Sequence, residues 1–110
     1  MKSRHVRMSV THVTARSAHH LFTVVNLSLT GALLEVQQEP PFDALLMPVV
    51  DSQVKLVLVG VSVDIALDAQ VIRSDVSAYS PSWLVAVKFL NVSGPAKMKI
   101  PQLLIGAGRG

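Results

Sequence analysis

At 110 residues the chain has room for one domain, and with half of its residues apolar it can bury one core without staples. It contains no cysteine, which excludes a disulfide framework, a thiolate metal site and a cysteine nucleophile. The net charge of +3 is unevenly placed: Lys2, Arg4, Arg7, Arg16 and all four histidines (His5, His12, His19, His20) precede the first acidic residue, Glu35, and a one-signed region of this kind concentrates anions.

The N-terminal "MKSRHVRMSV" has charges but no apolar stretch behind them, so it is not read as a secretory signal. No apolar run reaches the ~20 residues that span a bilayer. A soluble, cytoplasmic protein without membrane insertion is expected, with residues 1–8 forming a flexible basic leader. From Met8 to Ala15 the sequence alternates weakly, and "RSAHH" (Arg16 to His20) reads as an exposed loop. Leu21 to Val25 and Ala32 to Val36 are compact strand-like runs. Between them the polar residues Asn26, Ser28 and Gly31 interrupt the apolar pattern. "QEPPFD" (Gln38 to Asp43) is a loop held extended by Pro40 and Pro41, and Pro48 permits only an edge strand or a short connection.

Val54, Leu56 and Leu58 then alternate with Gln53, Lys55 and Val57, and Gly60 marks a hairpin turn. Val61, Val63, Ile65, Leu67, Ala69 and Val71 share one face of a long half-buried strand. Ser74 to Ser82 reads as a loop, after which Trp83, Val85, Val87 and Phe89 share a face. Ser93 and Pro95 predict a helix start, Pro101 its end or a kink, and 106–110 a frayed tail. About six short strands with at most two short helices predict an all-β, mainly antiparallel domain over 9–105, built as a small barrel or sandwich.

No catalytic constellation emerges. Asp64 and Asp68 lie on the polar face of a strand, where solvent exposure explains them. His19 and His20 are adjacent, so in a strand they point to opposite faces and make a poor chelate. Neither an enzyme nor a metal site is expected. Asn26, Ser28 and Gly31 admit two compatible readings: a tight turn between strands, or a polar hook that faces a ligand.

"NLSLTGALLEV" (Asn26 to Val36) resembles the [D/N]-x-S-x-x-G signature of the PilZ domain family, with Asn26, Ser28 and Gly31 at its fixed positions. The family's other signature, R-x-x-x-R, falls on the leader: Arg7 matches its second arginine, whereas Ser3 departs from the first, with Lys2 and Arg4 on either side. "AQVIR" (Ala69 to Arg73) and "WLVAVKFLN" (Trp83 to Asn91) are similar to its last two strands, so the resemblance spans nearly the whole chain. It implies a six-stranded barrel with a short C-terminal helix that binds cyclic di-GMP. The implied ligand-binding residues are Arg4, Arg7, Asn26, Ser28 and Gly31, with Lys2, Ser3 and His5 as auxiliary candidates. An arginine fork matches phosphate oxygens and the guanine O6/N7 edge. Asn26 would take the remaining guanine edge, Ser28 a hydrogen bond nearby, and Gly31 would supply positive φ or a close approach to the ligand.

Three functions are weighed. The first is a single-domain cyclic di-GMP receptor that signals ligand state to an unidentified partner protein, with no cofactor beyond that ligand. The second is a degenerate PilZ-like adaptor that binds protein but no nucleotide. The third, a basic barrel for single-stranded nucleic acid, is the weakest, because only five aromatics are present (Phe22, Phe42, Tyr79, Trp83, Phe89) and most lie in strand-core patterns.

Overall fold

The computed structural model describes residues 8, 9, 13–78 and 80–109, with the backbone alone at 8, 9 and 104–109. Seven strands are described: β1 Met8–Ser9, β2 Thr14–Arg16, β3 Leu21–Leu27, β4 Gly31–Val36, β5 Gln53–Val59, β6 Asp64–Val76 and β7 Trp83–Leu90. A helix, α1, covers Gly94–Arg109, and one 3-10 turn covers Ala44–Leu46. Every strand pairing is antiparallel. The ring β3–β2–β5–β6–β7–β4 closes on itself through β4 and β3, which makes a six-stranded barrel. β1 adds a short pairing to the end of β3, with Met8 opposite Leu27 and Ser9 opposite Asn26. Closure leaves no long Val-rich edge open to aggregation.

The alternation that predicts the strands also fills the barrel. Phe22, Val24, Leu34, Leu56, Leu58, Ile65, Leu67, Val71, Val85 and Val87 all point inward and are buried. A fully buried Leu, Val or Phe contributes about 1.5–3 kcal/mol, so these inward faces dominate the fold's stability. The two ends of the barrel differ. The turns at 28–30 and 60–63 and helix α1 lie at one end; the loops 17–20, 37–52 and 77–82 lie at the other. At the first end, Ser93 caps α1: its Oγ accepts from the Ala96 amide at 3.1 Å. The buried Ala96, Ile100 and Leu103 then seal the barrel, and a Cβ at Gly60 would collide with the Leu103 side chain. At the second end, Met47 is buried and Phe42 meets Trp83 edge-on with centroids 5.8 Å apart. There the His20 Nε2–H donates to the Leu46 carbonyl at 2.8 Å, tying loop 17–20 to the 3-10 turn.

Three boundaries differ from expectation. Val61 lies in the turn and is exposed, because the Gly60 amide bonds the Val63 carbonyl at 2.9 Å and β6 starts only at Asp64. The serine-rich stretch from Ser74 does not begin as a loop: β6 continues to Val76, since Ser74, Asp75 and Val76 pair with Val85, Leu84 and Trp83. The Trp83 indole N–H donates to Ser74 Oγ at 2.8 Å and holds that end. Pro101 does not end the helix, which continues through Arg109; the expected tail, 106–110, overlaps its last turn.

Candidate functional site

Two one-residue slips in the sheet create the site. In β3, Phe22 and Val24 face inward, so strict alternation would bury Asn26. The register to β4 instead jumps between Val24 and Asn26, with Val25 as the extra residue. Leu27 therefore takes the next core position and is fully buried, while Asn26 turns outward beside Leu33. A second jump in β6 makes Ile72 the extra residue and sets Arg73 outward opposite Ala86. β-bulges of this kind re-aim side chains and are enriched next to functional sites. Reading across the barrel wall, Asn26 pairs with Leu33, Leu33 with Ala86 and Ala86 with Arg73. Four strands thus present one outward row with a polar group at each end.

A pocket of about 310 Å³ lies over this row, lined by Asn26, Ser28, Gly31, Leu33, Ala86 and Arg73 together with Leu27 and Ala32. It is a depression open to solvent along one side. The small Ala86 keeps its middle open. The Asn26 carboxamide is half-buried and makes no hydrogen bond among the described residues, so its donors and acceptor are available to a ligand. Among the described residues that line the pocket, Arg73 carries the only charge.

Ser28 is largely committed to the turn. Its Oγ accepts from the amides of Thr30 and Gly31, both at 3.2 Å. The hydroxyl proton faces the Gly31 carbonyl at 3.3 Å or Thr30 Oγ1 at 3.3 Å. The Ser28 amide also bonds the Gly31 carbonyl at 3.0 Å, and the Phe89 amide bonds the Thr30 carbonyl at 2.9 Å. The serine therefore shapes and docks the turn, with one proton left to redirect. Of the two roles expected of Gly31, positive φ is not adopted; a Cβ there would overlap the backbone carbonyl of Val87 on β7. The glycine permits the close approach of β4 to β7, and so fixes the floor of the pocket.

The structure places Asn26, Ser28 and Gly31 along one pocket. Lys2, Ser3, Arg4, His5 and Arg7 lie outside the described residues, as do His12 and Tyr79. What is described is the leader's anchor: β1 pairs Met8 with Leu27 and Ser9 with Asn26, so the chain passes directly beside the hook. Arg73 is the pocket residue that sequence reasoning did not single out. Its signal is faint, an Arg that ends the alternating run just after Val71, where an extra residue changes which face it occupies.

A larger groove of about 790 Å³ opens at the opposite end of the barrel, between His19, His20, Leu45, Leu46, Val49 and Lys55. Its floor residues Phe22, Leu34 and Leu56 are at most 2% exposed, so it is a largely apolar groove that reaches down to the barrel core. Polar side chains also line it, Gln38, Gln53 and Lys55 among them, while the His20 ring is engaged by the Leu46 carbonyl. Among the described residues, no three His, Asp or Glu side chains gather as a metal site, and no helix is long and apolar enough to cross a membrane.

The family model of the PilZ domain matches residues 3–106. No curated protein sequence matches the chain. Among solved structures, the PilZ domain of YcgR from Escherichia coli with c-di-GMP superposes with a TM-score of 0.69 at 17% identity, covering 99% of this chain and 93% of that one. MrkH of K. pneumonia in its apo state gives 0.74 at 19% identity, covering 99% of this chain and 50% of that one. The inhibitor of motility MotI/DgrA of Bacillus subtilis gives 0.66 at 14% identity, covering 99% and 51%. The chain thus spans about half the length of the MrkH and MotI chains it matches. These likenesses show a shared fold.

Proposed function

The chain belongs to the PilZ domain family, and from that premise we propose that it is a cytoplasmic receptor for cyclic di-GMP that passes its ligand state to a partner protein. The observation that carries the reading is the outward-turned Asn26, without a hydrogen-bond partner among the described residues, beside the point where the basic leader joins the barrel. The pocket takes one guanine-bearing half of the ligand. Asn26 meets its base edge with a donor and an acceptor. The leader, with Arg7 and with Arg4 beside the departed Ser3, closes from the other side and brings charge to the phosphates. Ordering that leader costs conformational entropy, so binding changes the state of the segment and not only its occupancy. The reaction chemistry is nil in this reading: the ligand is bound, and the output is a protein contact.

The structures of YcgR and MrkH in complex with c-di-GMP support the ligand's identity by likeness. One feature favours the adaptor alternative, in which nucleotide binding is lost: Ser3 stands where the resemblance places an arginine. Calorimetric titration with cyclic di-GMP separates the two. The receptor reading expects saturable binding that Asn26→Ala and Arg7→Ala each weaken at least tenfold, about 1.4 kcal/mol, with the barrel intact by circular dichroism. Absence of binding by the wild-type protein at millimolar ligand selects the adaptor.

A further inference from the structure

We propose that Arg73 supplies the ligand with the cation that Ser3 withholds from the leader, and that Asp75 is its resident counter-ion, displaced when a phosphate arrives. This rests on the receptor reading above and adds a residue and a control to it.

The bulge at Ile72 is the first observation. It sets Arg73 in the same outward row as Asn26, across Ala86 and Leu33. Among the described residues of the pocket wall it is the only charged one. A guanidinium offers five donors in a rigid fork suited to phosphate. The second observation is how that fork is occupied. Arg73 Nη2 lies 3.6 Å from Asp75 Oδ2, with the two side chains 72% and 57% exposed. Residues two apart on a strand share a face, so Asp75 is placed to hold the guanidinium. At 3.6 Å it does so as a loose ion pair and not as a hydrogen-bonded fork. The contact is solvent-screened and cheap to exchange. A ligand phosphate offers Arg73 more acceptor oxygens than this monodentate contact does. An uncharged ligand gives the arginine no replacement for the carboxylate, so the pair also filters ligands by charge.

The test is a double-mutant cycle read by calorimetric titration of the full chain with cyclic di-GMP at fixed salt. Arg73→Ala is expected to weaken binding at least tenfold, and Arg73→Gln, a shorter and uncharged side chain that keeps a polar amide, to do the same. Asp75→Asn is expected to tighten binding about two- to fivefold, the range open to an exposed ion pair. In the Arg73→Ala background Asp75→Asn is expected to change nothing, because its effect passes through the arginine. If Asp75→Asn tightens binding equally in both backgrounds, the carboxylate acts as a diffuse charge and the counter-ion role is overturned. If Arg73→Ala and Arg73→Gln bind as the wild type does while Asn26→Ala weakens binding, the receptor reading survives and Arg73 is removed from the site. If the wild type itself does not bind, the receptor reading falls and takes this inference with it.

Discussion

Gly31→Ala tests the reason assigned here to the signature glycine. The new Cβ would sit well inside van der Waals contact with the Val87 carbonyl oxygen, a backbone atom that cannot rotate away. The Leu34–Val85, Leu33–Ala86 and Ala32–Val87 pairings flank the contact on one side and the docked Thr30 turn on the other, so β4 and β7 must separate to admit it. Forced displacements of this type cost about 1–3 kcal/mol. Alanine returns about 0.4–1 kcal/mol by restricting the unfolded chain. A net loss of about 1–2 kcal/mol is expected, and at about 4–8 °C per kcal/mol for a domain near this size the melting temperature should fall by roughly 5–15 °C. Differential scanning calorimetry without ligand reads this directly. An unchanged melting temperature would refute the strand-contact account. Weaker binding at an unchanged melting temperature would restore the expected role of Gly31 in admitting the ligand.

Asn26→Ala removes a side chain with no hydrogen bond among the described residues, so its melting temperature should stay within about 2 °C of wild type, under 0.5 kcal/mol, while affinity falls; a large loss of stability would mark Asn26 as structural. Ser3→Arg restores the leader pattern and should tighten binding without changing stability by more than about 0.5 kcal/mol; if Arg4 already fills that place, Ser3→Arg does little and Arg4→Ala weakens binding. Trp83→Phe deletes the indole bond to Ser74 Oγ and should cost about 1 kcal/mol in urea unfolding, an unchanged midpoint showing that the far end of β6 is held otherwise.

Most of the barrel was legible because its signal is local. Period-two alternation marks Leu56 and Leu58, then Ile65 to Val71, then Trp83 to Phe89, and each of these sets is buried as a face. The hook was legible as three spaced residues, and the helix start as Ser93 with Pro95. What was not legible is what depends on the neighbouring strand. Alternation extrapolated past Val24 buries Asn26, and only the pairing with β4 shows that Val25 absorbs the slip. The core spacing 22, 24, 27 holds that signal in compressed form. The same applies at Ile72, where alternation extrapolated past Val71 turns Arg73 inward, and just beyond it the serine-rich run from Ser74 looks like loop but continues as strand because β7 runs alongside. Arg73 went unnoticed for that reason: its partners across the wall are 13 positions away at Ala86 and more than forty at Asn26, separations that no window along the chain brings together. The glycine was placed in the site by its motif, yet its reason lies in a carbonyl of another strand.

The central claim is that cyclic di-GMP binds at the hook and not elsewhere on the barrel, and backbone and side-chain amide NMR of the labelled wild-type chain, titrated with that nucleotide, tests it most directly. The account predicts saturable shifts on the Asn26 side-chain amide and on backbone amides of Leu27, Leu33, Arg73 and Ala86, with Leu45, Leu46 and Val49 at the opposite end unmoved. Shifts confined to that opposite groove, or none at millimolar ligand, would contradict it.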